Sequence, residues 1–337
     1  MTPTYKIKGK RVLITGASFI GVHLIDKLIQ EKAASISVVN KTSRHKTHIK
    51  NIRDIQFHAT DLRDLRSARK TIKGNDLIIH LAADHGGRGY VDMKQGNTTS
   101  NLLLDGSVFK ASLDAGVEKV FFASSGCVYP NFKQKDVKKK IYLKESDVIP
   151  PYDADNMYGW AKLMGELTLR QYFKDFGLQS AIGRFFTVYG PHASESHAVM
   201  GTIAKAYTKQ NPFTVWGSGK QIRNWTYVDD IARGIVSLIK EIDDATAINL
   251  GTEERVTVDE MVQMVLSHFH FHPTIQHVNM PTGPLNRVAS GALAHERINW
   301  KPKFKFKDGL EGTIKWYTQN KNKSSIKANL NSLLLHD

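Results

Sequence analysis

Over residues 11–184 the chain alternates short apolar runs with amphipathic stretches of helical period. This pattern constrains the fold more than any other feature. A strand that is apolar along its whole length must be covered on both faces, and helices between such strands supply the cover, which makes consecutive strands parallel. Strands are expected at 11–15, 35–40, 55–58, 77–81, 120–124 and 180–184, and helices near 19–31, 101–115 and 156–176. The last two helices run into Gly116 and Gly177, stop signals because glycine takes the left-handed conformation without steric cost. The expected architecture is α/β, a Rossmann-type doubly wound parallel sheet.

After Tyr189-Gly190-Pro191 the pattern breaks into shorter elements near 213–216, 229–239, 258–269 and 308–317, which read as a smaller C-terminal α/β substrate lobe. The expected division is 1–185 for the dinucleotide-binding domain and 186–318 for the lobe, with some segments returning to the first domain. Residues 319–337 are expected to be a basic polar tail, weakly ordered or used in an oligomer contact. The stretch 131–144, with Lys133, Lys135, Lys138, Lys139, Lys140 and Lys144, reads as a solvated surface loop.

A formal charge of +15 over 337 residues implies anionic partners: phosphorylated small molecules, nucleic acid or an acidic membrane surface. With Cys127 the only cysteine, no intrachain disulfide can form. No apolar run reaches the roughly 18 residues of a membrane helix, and the start runs into a strand without a signal peptide, so a cytoplasmic protein is expected. His268, His270 and His272 have no cysteine or carboxylate close by, and no metal site is expected.

Val12-Leu13-Ile14-Thr15-Gly16-Ala17-Ser18-Phe19-Ile20-Gly21 is a buried strand, a glycine turn and a helix start. Such a turn lets backbone N–H groups approach a pyrophosphate beside the positive end of the helix dipole. Gly16, Ser18, Phe19, Ile20 and Gly21 are therefore candidate cofactor contacts. The turn departs from the usual fingerprint in having two glycines and one residue fewer. The second strand ends in Asn40 where a carboxylate usually binds ribose, and Lys41, Ser43 and Arg44 follow, so a 2′-phosphate is tolerated and both NAD and NADP stay open. Asp61 and Leu62 are placed to meet the adenine, and Leu81, Ala82 and Ala83 leave room for the cofactor.

Tyr158-Gly159-Trp160-Ala161-Lys162 sets a phenol and an ammonium one helical turn apart. A cation beside a phenol is expected to lower its pKa and ready it for proton exchange with a hydroxyl. Ser125, in Ser124-Ser125-Gly126-Cys127-Val128-Tyr129-Pro130, follows the fifth strand, where open sheets bind ligands. With these motifs the chain resembles the extended short-chain dehydrogenases/reductases of the nucleotide-sugar epimerase and dehydratase group, over roughly 11–317. The resemblance implies a catalytic set of Ser125, Tyr158 and Lys162, with Asn101 supporting the cofactor. It also implies Arg223 and Arg287 on the nucleotide's phosphates, a tightly bound, recycled NAD or NADP, and a homodimer.

Dehydratases of that group carry an Asp-Glu pair where this chain has Gly126 and Cys127. The Ser-Ser-x-Cys-x-Tyr-Pro arrangement resembles the GDP-mannose 3,5-epimerase family, as does Ala83-Asp84-His85-Gly86-Gly87-Arg88-Gly89-Tyr90, the expected sugar-contact loop. In that family a transient 4-keto sugar is epimerised by a cysteine and a second base, and Ser196-His197 aligns with the histidine version found in fucose synthases. The resemblance therefore implies Cys127 and His197 as acid/base residues, with His85, Gly86, Gly87, Arg88, Ser125 and Gly126 against the substrate. Four alternatives stand: a dehydratase using Cys127 as base, a 4-epimerase, an NADPH-dependent epimerase-reductase, and a non-catalytic NAD(P)- or RNA-binding protein, the last disfavoured by the intact Ser125, Tyr158 and Lys162.

Overall fold

The computed structural model describes residues 5–43 and 55–335. Its centre is a seven-stranded sheet, parallel throughout. Six strands are β1 (Arg11–Thr15), β2 (Ser35–Asn40), β3 (Ile55–Ala59), β4 (Leu77–His80), β5 (Lys119–Ser125) and β6 (Gln179–Phe185). The seventh is Asp244–Leu250, and across the sheet the order is Asp244–Leu250, β6, β5, β4, β1, β2, β3. The order reverses between β1 and β4, so the loops leaving their carboxyl ends diverge and open the crevice where such sheets hold ligands.

The helices are α1 (Ile20–Gln30), α2 (Leu65–Ile72), α3 (Arg88–Met93), α4 (Gln95–Thr98), α5 (Ser100–Asp114), α6 (Asn156–Phe176), α7 (Ala198–Tyr207) and α8 (Val228–Glu241), followed by Val258–His268, Ala292–Ile298, Phe306–Asn320 and two short ones in the tail. On one face of the sheet α1 buries Leu24, Ile25 and Leu28 beside Ile231, Ile235 and Leu238 of α8. On the other, α5 and α6 bury Val108, Phe109 and Leu169 against Phe122 and Ile182. Each such side chain removed from water contributes about 1.5–3 kcal/mol. Gly177, with φ of +70°, closes α6 in the left-handed conformation as expected.

The seventh strand and α8 lie beyond residue 186, so the chain leaves the sheet, builds part of the lobe and returns. Short strands form the lobe: Ile222–Arg223 pairs with Asn286–Arg287 in parallel and with Val256–Thr257 in antiparallel fashion. Its core gathers Met200, Ile203, Phe213, Val265, Phe306 and Tyr317. Two sequence expectations are corrected here. The tail forms helices at Lys323–Ala328 and Leu330–Leu335 that bury Ile326 and Leu330 in that core, because its few apolar residues fall on one face. The lysine-rich stretch is not solvated throughout, since Gln134 and Leu143 within it are fully buried.

Candidate active site

At the carboxyl end of β1, Gly16 adopts φ of +80°, and a Cβ there would lie 2.6 Å from the backbone of Ala82. Only glycine lets the turns after β1 and β4 touch this closely. A Cβ on Gly21 would meet that of Ala17 at 2.9 Å, which seats α1 against the turn. Helix α1 opens after Ser18 and Phe19 with no side-chain cap and no acidic residue in its first turn, leaving its positive end uncompensated. Phe19 packs toward the lobe's core and Ile20 toward the sheet's. Asn40 accepts a hydrogen bond from the Ala17 amide at 2.9 Å, and its own Nδ2 is buried with no partner. An orphaned buried donor costs about 1–3 kcal/mol, which a ligand oxygen would relieve. The glycine crossing, the bare helix start and this amide together fit a dinucleotide.

Other expected cofactor contacts also have partners within the protein. Asp61 is forked by Arg63, with Nε–Oδ1 at 3.0 Å and Nη2–Oδ2 at 2.5 Å, and those bonds hold its carboxyl below the usual range. Leu62 points into the core. Asn101 spends its amide on the Asp84 backbone, accepting from N at 2.7 Å and donating to O at 3.0 Å, and on the Thr98 carbonyl at 2.8 Å, so it pins the 82–90 loop. Leu81, Ala82 and Ala83 stay partly exposed along the crevice, as expected. Arg44 lies outside the described residues.

Ser125 ends β5, accepts from the Cys127 amide at 3.1 Å and hydrogen-bonds Tyr158. A Cβ on Gly159 would stand 2.3 Å from the Cys127 carbonyl, so glycine after Tyr158 is what lets α6 close on the Cys127 turn. The His85 ring stands 4.8 Å from that of Tyr158 and 5.3 Å from that of His197, which precedes α7. Thus Ser125, Cys127, Tyr158, His85 and His197 converge. Gly87 also seats the loop against the segment before α7: a Cβ there would overlap the Ser196 carbonyl, and its amide donates to Ser196 Oγ at 3.2 Å. Gly86 is buried beside it.

The expected effect of Lys162 on Tyr158 is not what the structure shows. Burial, then the neighbouring Cys127 and Asp105, push the phenol above its ordinary pKa, with the Ser125 bond opposing. Lys162 lies between partners: Nζ is 3.5 Å from Asp105 Oδ2, 4.6 Å from the centre of the Phe122 ring and 5.9 Å from that of Tyr158, and burial pulls its pKa down. Asp105 also bonds His80 at 2.9 Å, and His80 bonds Thr15 at 2.7 Å, a buried relay beneath the crevice.

On the opposite side three arginines crowd together. Arg88 holds Asp92 through Nε at 2.6 Å and Asp155 through Nη1 at 2.6 Å. Arg287 binds Asp155 through Nη2 at 2.8 Å, Gln134 through Nε at 2.7 Å and the Cys127 sulfur through Nη1 at 3.1 Å. Arg223 is register partner to Arg287 across the small sheet and donates to the Ile222 and Thr282 carbonyls. Burial, then repulsion from Arg287 and Arg88, push its pKa down to about 9. A Cβ on Gly126 would lie 3.3 Å from the Phe186 ring and 3.5 Å from Arg287 Cδ, so the turn packs closely on both.

Sequence reasoning missed Asp155, Gln134 and the buried Glu166–Arg184 pair, which holds Ser124 through a 2.5 Å bond. Asp155, immediately before α6, carries the signal of a helix cap. Its side chain caps nothing and bridges two arginines. Gln134, inside a run of lysines, carries no signal.

The chain matches the model of the NAD dependent epimerase/dehydratase family over residues 12–251. It is 35% identical to GDP-mannose 3,5-epimerase 1 of Oryza sativa subsp. japonica over 91% of this chain and 81% of the rice protein. It is 34% identical to GDP-mannose 3,5-epimerase of Arabidopsis thaliana over 94% of this chain and 84% of that one. An epimerase from Methanothermobacter thermautotrophicus superposes with a TM-score of 0.84 at 26% identity, covering 96% of this chain and 95% of that one. The protein belongs to the NAD-dependent epimerase/dehydratase family, enzymes of the extended short-chain dehydrogenase/reductase fold that act on nucleotide sugars.

Proposed function

We propose that this enzyme epimerises a nucleotide-diphosphate sugar next to a transient 4-keto carbon, in the manner of a 3,5-epimerase, with NAD bound and recycled. The observation that carries the reading is the gathering of a free thiol, Cys127, and a histidine, His197, around Ser125 and Tyr158. A plain 4-epimerase has no use for a thiol there, and a standard dehydratase would carry acidic residues where Gly126 and Cys127 stand.

Gly16, Ser18, Phe19, Ile20, Gly21 and Asn40 would hold NAD, along the Leu81–Ala83 edge. Bound there, NAD would supply a reversible hydride acceptor for the sugar C4 and a cationic ring beside Tyr158. Tyr158 takes the 4-hydroxyl proton and gives it back, while Ser125 steadies the oxygen. The 4-keto group acidifies the neighbouring C–H bonds. Cys127 removes or returns a proton on carbon, and His197 does so in the opposite sense. Arg223, with backbone carbonyls as its hydrogen-bond partners, receives the diphosphate, helped by the remaining N–H groups of Arg287. Arg88 and the His85–Gly87 loop border the sugar.

Incubation with a panel of nucleotide sugars in deuterium oxide, without added cofactor, tests this by proton NMR and mass spectrometry. Deuterium entering at C3 or C5 with no loss of water is expected. Loss of water would move the reading to elimination, and no change in any sugar would sink it.

We also infer a homodimer through α5 and α6, which expose Leu102, Leu103, Trp160 and Met164. A sedimentation mass near 37.8 kDa, that of one chain, would refute it. The need for a free thiol suits a reducing compartment such as the cytoplasm, and among the described residues no helix is long and apolar enough to cross a membrane.

A further inference from the structure

We propose that Glu195, gripped by the end of the chain, is the positioning residue that sets His197 for proton transfer to carbon. The inference rests on the reading of His197 as the second acid/base residue.

Residues 190–197, between the short strand Val188–Tyr189 and α7, are neither helix nor strand. Within them the Ala193 amide donates to the Gly190 carbonyl at 3.2 Å and the His197 amide to the Ser194 carbonyl at 3.1 Å. A proton-transfer group must be held within about 0.5 Å and 10–20° of its working geometry, which two turn bonds do not achieve alone. Three successive side chains leave this turn for different neighbours. Ser196 Oγ accepts from the Gly87 amide at 3.2 Å, His197 sets its ring 5.3 Å from that of His85, and Glu195 enters the lobe, where it is 5% exposed. There its Oε1 accepts from Tyr317 Oη at 3.1 Å and meets Lys321 Nζ at 2.9 Å. A carboxylate taken out of water is costly unless a cation and hydrogen-bond donors meet it, so Glu195 has one place to go and the turn is held with it. Burial, then the carboxylate, keep the Tyr317 phenol above its ordinary pKa, so it stays a donor.

The grip comes from residues 316–334. Tyr317 lies on the helix Phe306–Asn320, whose Trp316 also packs on His192 of the same irregular segment, with ring centres 4.8 Å apart. Lys321 follows that helix, and its carbonyl accepts from Tyr207 Oη at the far end of α7 at 3.2 Å. The helix Leu330–Leu335 packs on the start of α7: a Cβ on Gly201 would stand 2.9 Å from Leu334 Cδ2 and 2.7 Å from the Glu195 carbonyl oxygen. The Gly201 amide in turn donates to the His197 carbonyl at 2.8 Å. Both ends of α7 and the turn before it are thus tied to the tail, and Glu195 is the one carboxylate of the 190–197 segment through which the tie reaches His197.

The step served moves one proton between the imidazole and carbon, so deuterium from solvent reports it. H197N marks which sugar carbon depends on His197. E195A is expected to slow exchange at that carbon about tenfold to a hundredfold, as for a group displaced by about 1 Å, and to leave the Cys127-dependent carbon within about twofold of the wild type. E195Q, which keeps an oxygen for both donors, should restore most of the rate. Y317F leaves the carboxylate its lysine and should give a smaller loss at the same carbon, which keeps the test available if E195A fails to fold. Equal slowing at both carbons, or none at either, overturns the proposal. A second readout needs no sugar: with isotope-labelled histidine, the NMR signal that vanishes in H197N should move in E195A and return in E195Q. A signal that stays in place overturns the proposal. A signal that moves as expected, in an enzyme that puts deuterium into no sugar, upholds the placement of His197 by Glu195 and refutes the epimerase reading.

Discussion

Two buried charge networks flank Tyr158, and they are built on different plans. Beneath the crevice Thr15, His80, Asp105 and Lys162 form a closed relay in which one ammonium answers one carboxylate and an imidazole completes the carboxylate's bonding. On the far side are three guanidiniums: Arg88 and Arg287 share Asp92 and Asp155, and Arg223 has backbone carbonyls as its partners. Two of those arginines are register partners in one small sheet, where like charges repel. The relay balances its own charge, although Asp105 Oδ2 is buried with Lys162 at 3.5 Å and no hydrogen bond, and it forms the floor of the crevice. The arginine cluster is left with positive charge, an arrangement stable only with an anion nearby, and it lies where the sugar's diphosphate would enter.

The phenol between them gives the largest expected effect. Y158F should lower the epimerisation rate about 10²–10⁴-fold, or roughly 2.7–5.5 kcal/mol of barrier, with the unfolding midpoint nearly unchanged. A loss under tenfold would take proton transfer at the hydroxyl away from Tyr158. Next comes the floor: D105N leaves Lys162 and His80 facing an amide, and the folded state should lose about 3–5 kcal/mol in urea unfolding. A loss below 1 kcal/mol would mean that the relay does not depend on the ion pair.

The asymmetry between the networks also explains what the sequence made legible. The floor belongs to the region of regular alternation. There the sequence places β1, β2 and α6 to the residue and singles out Ser125, Tyr158 and Lys162 together, because strand period, glycine stops and helical spacing are local signals. Local spacing missed the second partner of Lys162, however. It puts the ammonium one turn from Tyr158, and nothing within one helix records that Asp105 on α5 also meets it. The cluster is assembled from α3, β-pairs of the lobe and the segment before α6, segments far apart in sequence. Its arginines were singled out only through resemblance. Asp155 and Gln134, which connect them, went unnoticed because neither belongs to a periodic pattern. The return of Asp244–Leu250 to the sheet was hidden in the same way: a single strand beyond the lobe has no local mark of which sheet it joins.

If the cluster's excess charge is a ligand site, an anion should stabilise it and leave the floor alone. With inorganic pyrophosphate as probe at about 100 times its Kd, the wild type should gain roughly 2.7 kcal/mol in thermal or urea unfolding. R223M should lose most of that gain, while D105N, destabilised overall, should keep it. An equal gain in R223M would place the anion elsewhere, on the lysines of the 131–144 loop or at the start of α1.

The floor, by contrast, should answer to protons. Burial holds His80 below its ordinary pKa, with Asp105 only partly offsetting it. Below pH 6.5 or so the unfolded chain therefore binds a proton that the folded one refuses, and stability falls as the pH drops from 7 toward 5. One such group contributes a slope of at most about 1.4 kcal/mol per pH unit. His23, also buried and lowered, adds a second share, so the decisive comparison is between the wild type and H80N. The substitution should flatten the slope by up to one group's worth while leaving the pyrophosphate response in place. A steeper slope in H80N would mean that His80 is protonated in the folded state, with Asp105 as its counter-ion. Asp105 would then be shared between two cations, and the floor would be as rich in positive charge as the cluster opposite.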